Sequence, residues 1–211
     1  MKRIIEKKNI IWVPVFRRIN KIILVFFVFS FANLSTCKVV AQNQIGDFFG
    51  IKLGLSMYET KSKLESQGKT VASKTTNSTK YDSEYYIVKK PRLGDIVFDE
   101  VKLYFRNNKL EKAIFDCYDA AGGSPEAYAA YNRVSNSASR YKVFFNQMRA
   151  NFAAKYGTPT VDDGNDVIWV NGNILKIKYE FSDVMESAWM RQSHTLFRVD
   201  YELSNSSFSN Y

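Results

Sequence analysis

Three side chains bound the chemistry open to this 211-residue chain: Cys37 and Cys117, its two cysteines, and His194, its one histidine. A thiol nucleophile needs a base within hydrogen-bond reach, and His194 is the only imidazole that could serve Cys117. Sequence spacing does not bring the two together, so the plainer expectation is a buried, inert Cys117 and a solvent-facing His194. Asp162-Asp163-Gly164-Asn165-Asp166 has the composition of a calcium loop, but such loops take oxygen ligands at positions 1, 3 and 5 with glycine at 6. Here Gly164 stands at position 3 and Val167 at position 6, so the segment reads as a polar turn and no metal is expected. No G-x-G-x-x-G, Walker or G-x-S-x-G motif occurs, and no cofactor is expected. The chain reads as non-enzymatic, with a Cys117/His194 hydrolase as the least favoured alternative.

Cys37 poses a different question, that of address. Seven basic residues and one acid in 1–21 precede 13 uncharged residues, Ile22 to Leu34. These are the n-region and h-region of an export signal, too short to cross a bilayer as a helix, which takes about 20 residues. Leu34-Ser35-Thr36-Cys37 has the leading hydrophobe of a lipidation signal, yet Thr36 stands where Gly, Ala or Ser is wanted. Val39-Val40-Ala41 suits the ordinary signal peptidase better. The expectation is a signal peptide over 1–41 and a protein of the periplasm or cell envelope. An outer-membrane assembly-type lipoprotein anchored at Cys37 is the alternative. Cleavage also explains the formal charge of +9: eight of the 30 basic and one of the 21 acidic residues fall in 1–41, leaving a net of +2. Nucleic acid is therefore not an expected partner.

With catalysis disfavoured, the residues of interest are those that anchor protein surfaces. Val184-Met185-Glu186-Ser187-Ala188-Trp189-Met190-Arg191 breaks its local rule. It falls between two predicted strands, where a loop should be short and polar, and carries Met185, Trp189, Met190 and Arg191. Large adaptable apolar groups beside Arg suit a binding surface, and a loop folded back over the end of a sheet is the competing use. Tyr104, Tyr128 and Tyr131 are secondary candidates, because Tyr offers contact area at little entropic cost.

The elements that must position these residues follow from local patterns. Ser56-Met57-Tyr58-Glu59 has the S-x-x-E form of a capping box, predicting a helix from there to residue 67, ended by Gly68. Strands are expected over 70–73 and 84–89. A hairpin follows, 96–106 with 109–116 about Asn107-Asn108, and should place Val101, Leu103, Phe105, Leu110 and Ile114 on one buried face. Residues 119–123 read as a loop. Ser124-Pro125-Glu126 starts a helical region, and Ser135-Asn136-Ser137-Ala138-Ser139 should bend or break it into a pair. A second hairpin, 167–170 with 173–181 about Asn171-Gly172, and a strand over 195–203 complete an α+β domain over 42–203. Its antiparallel sheet carries a helical layer on one face, and residues 204–211 form a frayed tail. The two halves share an order of helix, glycine, strand and hairpin, which admits tandem α/β units over 52–119 and 124–203 sharing one sheet.

Gly54-Leu55-Ser56-Met57-Tyr58-Glu59 through Leu64, together with Phe152-Ala153-Ala154-Lys155-Tyr156-Gly157-Thr158-Pro159, resembles the helix start and helix end of SmpA/OmlA-like and β-lactamase-inhibitor-protein-like exported domains. Gln67-Gly68-Lys69 departs from the Gly-x-Pro of that pattern. The resemblance implies a helical layer on an antiparallel sheet in a non-enzymatic exported protein that binds another envelope or extracellular protein. It carries no binding residue over.

Overall fold

The first helix forms where its cap is written. In a computed structural model, which describes residues 45–122, 127–187 and 190–204, helix α1 spans Met57–Ser66. The Ser56 hydroxyl accepts from the Glu59 N–H at 3.2 Å, and the Glu59 carboxylate accepts from the Ser56 N–H at 2.9 Å. Gly68 takes φ +73° just past the end, the left-handed conformation that glycine adopts without strain. Leu64 and Thr60 are buried while Tyr58 stands out in solvent, so only one stripe of the helix packs.

Strands β1 (Asp47–Phe48) and β2 (Ile51–Lys52) form a small hairpin ahead of α1, and β5 (Arg92–Leu93) and β6 (Ile96–Val97) form another within the first half. All remaining strands belong to one antiparallel sheet. From the first half come β3 (Val71–Thr75), β4 (Glu84–Lys89), β7 (Glu100–Arg106) and β8 (Lys109–Gly122). The second half has helix α2 (Ala127–Tyr156), then β9 (Val161–Asp162), β10 (Asp166–Asn171), β11 (Asn173–Ser187) and β12 (Met190–Leu203). The sheet order is β3-β4-β7-β8-β12-β11-β10-β9. It is mirrored: each half runs from an outer edge inward, and the two last strands, β8 and β12, pair at the centre. The expected α+β fold, an antiparallel sheet with helices packed on it, is the one observed.

The core lies between this sheet and the helices. From α2 it takes Tyr141, Phe145, Met148, Phe152 and Tyr156; from the sheet Val101, Leu103, Phe105, Phe115, Trp169, Ile177, Phe197 and Tyr201; from the N-terminal segment Ile45, Phe48 and Ile51. Several expectations are corrected. The α2 region is one helix of 30 residues, with no break at Ser135–Ser139. Ser137 and Ala138 are buried, and the Ser137 hydroxyl donates to Asp119 Oδ2 at 2.8 Å. Short side chains here let the helix approach β8 closely, so residues of poor helix propensity are used for packing. The predicted helix start at Ser124-Pro125-Glu126 lies outside the described residues.

The first hairpin turns where expected, with Asn107 and Asn108 at φ +51° and +59°, as a two-residue primed turn requires. Its inner face differs. Phe105 pairs with Leu110 but Tyr104 pairs with Lys112, so Glu111 is an extra residue and β8 carries a bulge. One extra residue reverses the phase of alternation. The buried set on β8 is therefore Leu110, Ala113, Phe115 and Cys117, and Ile114 faces the other way opposite Lys102. The second hairpin pairs Val170 with Ile174 and Asn171 with Asn173, so it reverses about Gly172 alone.

Two segments read as loops are strand. Residues 119–122 continue β8, held by pairing with β12 as far as Gly122↔Gln192. Residues 182–187 and 190–194 extend β11 and β12 into a long hairpin, with Met185 opposite Arg191 and Ser187 opposite Met190. Residues 184–187 and 190–191 of the segment are thus strand and not loop.

Candidate interaction surface

Parity along each strand assigns side chains to one face of the sheet or the other. Phe197 pairs with Cys117 and both are buried in the core, whereas His194, three residues from Phe197, faces the opposite side with Ala120 as partner. The two groups of the thiol-enzyme alternative are separated by the sheet itself. Burial pushes the Cys117 thiol up to about 12, which leaves it protonated at neutral pH. His194 Nε2 instead lies 3.0 Å from Glu180 Oε1, and the bond from His194, with Lys178, holds the Glu180 carboxyl below its ordinary range. The polar turn at 162–166 is closed by its own backbone: Asp163 Oδ1 accepts from the N–H groups of Asn165 and Asp166 at 3.0 and 2.6 Å, and Asp162 is ion-paired with Arg149. Among the described residues no three His, Cys, Asp or Glu side chains are grouped to hold a metal.

The face opposite the helices is organised differently. On its first-half flank, Tyr85 and Tyr104 are direct cross-strand partners with ring centroids 5.1 Å apart and planes 14° from parallel. Tyr81, from the β3–β4 connection, also lies against Tyr104, its centroid 5.1 Å away and its plane tilted by 35°. Burial raises both the Tyr104 and Tyr81 phenols above their ordinary value, so each remains a hydroxyl donor. Sequence reading named Tyr104 but missed its two partners. The signal lay in the alternation of Glu84–Lys89, which presents one Tyr of the pair Tyr85-Tyr86 to each face: Tyr86 is buried against Phe105, and Tyr85 looks outward.

Tyr81 is placed by its neighbour. The Asp82 carboxylate accepts the backbone N–H groups of Asn107 and Asn108 at 3.0 and 2.9 Å, and the Asp82 N–H donates to Phe105 O at 2.7 Å. One carboxylate thereby satisfies both turn amides and ties the β3–β4 connection to the β7–β8 turn. Asp82→Ala is expected to destabilise the domain by about 1.5–3 kcal/mol, the range for hydrogen bonds to a charged group. It should also release Tyr81 from Tyr104, read as increased quenching of tyrosine fluorescence by acrylamide; a variant with native stability and quenching would refute this.

Next to the tyrosines the face carries a ladder of opposite charges. Glu100 meets Lys89 and Lys102; Asp116 accepts from Arg198 Nε at 2.6 Å; Lys112 lies 3.4 Å from Asp200 and 3.0 Å from Glu202; Lys80 reaches Glu202 at 2.9 Å. Asp116 and Asp200 are almost covered by these partners. Burial raises the Asp200 carboxyl, opposed first by Lys112. Burial alone would lower Lys112, but Asp200 and Glu202 outweigh it and raise the ammonium. Towards the far end of the sheet the surface turns apolar again, with Tyr118 58% and Val184 49% exposed. Among the described residues no helix packs on this face.

Of the sequence candidates, Tyr104 is on this surface. Met185, Met190 and Arg191 lie at the end of the β11–β12 hairpin, and Trp189 lies outside the described residues, as do Cys37 and the leader. No family model matches the chain. A search of curated proteins and a search of solved structures likewise find nothing similar. The likeness to SmpA/OmlA-like and inhibitor-like domains therefore rests on the helix-end motifs alone.

Proposed function

We propose that this chain is an exported, non-enzymatic protein-binding module of the bacterial cell envelope, and that it recognises its partner through the open face of the eight-stranded sheet. One observation carries the reading: among the described residues the helices cover a single face, while the other presents three packed tyrosines, Tyr85 stacked on Tyr104 and Tyr81 tilted against it, beside a ladder of ion pairs. A stack of rigid aromatics supplies contact area with little side-chain entropy left to lose. Ion pairs already satisfied among themselves leave no lone charge to be desolvated when a partner closes over them. Export is supported by the n-region and h-region ahead of Ala41. Among the described residues no helix is long and apolar enough to cross a membrane.

The test is a photo-crosslinking residue at position 104 in the full chain, expressed in a Gram-negative host, with position 58 as control. Tyr58 is 80% exposed on the helical side. A discrete protein adduct from position 104 and none from position 58 is the expected result; equal labelling, or none at either site, would overturn the reading. The mass of the recovered protein reports export at the same time. A chain beginning at Gln42 is expected, a lipidated Cys37 would support the anchored alternative, and an intact leader would remove the export reading.

A further inference from the structure

A cleft of about 390 Å³ opens where the β1–β2 hairpin, the last turn of α2 and the start of β11 meet. Asp47 and Lys52 line it from the hairpin, Lys155 from α2 and Asn173 from β11, with Ile45 and Leu53 as its apolar walls. Asn173 has the parity of the buried Leu175 and Ile177, which sets the cleft on the helical side of the sheet. A volume of this size is ordinary for a small-molecule site.

The floor of the cleft is built. Asn173 is only 9% exposed, and its Nδ2 donates to Ile45 O at 2.6 Å. Gly46 takes φ +125° and passes so close that a Cβ there would lie 2.8 Å from Asn173 Nδ2. Glycine serves this position twice, by its backbone angle and by the space it leaves. Among the described residues nothing donates to Asn173 Oδ1.

The charged groups around this floor are not joined. Asp47 and Lys52 are direct cross-strand partners of opposite charge, yet among the described residues neither forms an ion pair. Lys89 and Glu100, partners in the same sense on the open face, do form one. Lys155 lies over the ring of its neighbour Tyr156, 5.0 Å from the centroid, and meets no carboxylate among the described residues. The Tyr156 hydroxyl is itself buried with no hydrogen-bond partner. Tyr156 and Asp47 both add to the rise that burial imposes on the Tyr201 phenol, which sets these groups near one another. Two cations and one anion thus face a single concavity unpaired, and the complementary ligand carries the reverse set.

We infer that this cleft binds a free acidic α-amino acid, its two carboxylates meeting Lys52 and Lys155 and its ammonium meeting Asp47 and Asn173 Oδ1. Charge-assisted hydrogen bonds of this kind are the strong ones, and neither a plain dicarboxylate nor a neutral amino acid satisfies all three charged groups. The inference goes beyond the protein-binding reading and does not depend on it, because the cleft and Tyr104 lie on opposite sides of the sheet.

The probes are L- and D-glutamate, titrated against the full chain by isothermal calorimetry. Glutarate, which lacks the ammonium, and glutamine, which lacks the second carboxylate, are the controls. One-site binding of at least one glutamate enantiomer is expected, with both controls at least roughly tenfold weaker, tenfold being about 1.4 kcal/mol. Lys52→Ala and Lys155→Ala should each weaken glutamate by a similar factor and leave the melting temperature unchanged, since both side chains are exposed. Asp47→Asn should let glutarate bind as well as glutamate. Lys74→Ala, at an exposed lysine on β3, should alter nothing. No one-site binding of either enantiomer, equal binding of glutarate by the unsubstituted chain, or an equal loss from Lys74→Ala would overturn the inference.

Discussion

Phe115→Ala will lower the unfolding free energy by about 3–5 kcal/mol, the range for truncating a fully buried aromatic side chain. Phe115 has no exposed surface, and its ring meets four others edge-on: Phe48 and Phe49 at 5.5 Å, Phe98 at 5.4 Å and Tyr201 at 6.1 Å. These rings come from the N-terminal segment, the stretch after β6 and the central strand β12. The four rings are held by three separate elements, so the walls of the resulting cavity cannot collapse together, and the loss should sit high in the range. For a domain of this size the melting temperature should fall by roughly 10 °C. Tyr118→Ala, three residues further on the same strand but on the open face, should change stability by no more than about 0.5 kcal/mol. Urea unfolding followed by circular dichroism measures both. Similar losses for the two variants would mean that the phase reversal at Glu111 has been misplaced.

Lys112→Met is the second large effect, and it depends on pH. Removing the ammonium leaves Asp200 and Glu202, both mostly covered, without their shared cation, at a cost of about 3 kcal/mol near neutral pH. Asp200 suffers most. Its Oδ1 is buried with no hydrogen-bond partner, burial already raises its carboxyl, and Lys112 is the main group opposing that rise. In the variant the folded-state pKa climbs further above the unfolded value of about 3.9. A carboxyl raised on folding contributes stability that is fully present below its unfolded pKa and is lost as pH rises through its folded pKa. The deficit of Lys112→Met should therefore be largest at pH 7 and shrink as the pH is lowered towards 4. Adding Asp200→Asn should remove most of this pH dependence. A deficit equal at pH 7 and pH 5 would rule Asp200 out as its source.

Local features were legible in the sequence. The capping box at Ser56 and Glu59, the Asn107-Asn108 turn and strand β4 over Glu84–Lys89 all occur where the residue pattern places them. The misreadings share one character. Ser135–Ser139 has poor helix propensity, but burial of Ser137 and Ala138 against β8 keeps α2 continuous. The segment after Phe181 reads as a break in alternation, but pairing with residues 190–195 carries β11 onward. Ile114 changes faces because of a single extra residue, Glu111. In each case a partner distant in sequence outweighs a local preference.

The candidate surface shows the same division. Tyr104 could be named from residue type, but its value as a surface comes from Tyr85 across the strand and from Tyr81, held in place by Asp82. The charge ladder was not legible at all: Lys112 and Glu202 are 90 residues apart, Lys80 and Glu202 122. What the sequence by itself determined is the α+β class, the Asn107-Asn108 turn and the Ser56 helix cap, because these depend on alternation and on hydrogen bonds spanning a few residues. Only the tertiary structure decided that Cys117 and His194 lie on opposite faces, that the segment around Met185 is part of a long strand hairpin, and which tyrosines and charges share a surface. Those outcomes follow from strand register and one bulge, and register is set by pairing between segments that no local pattern connects.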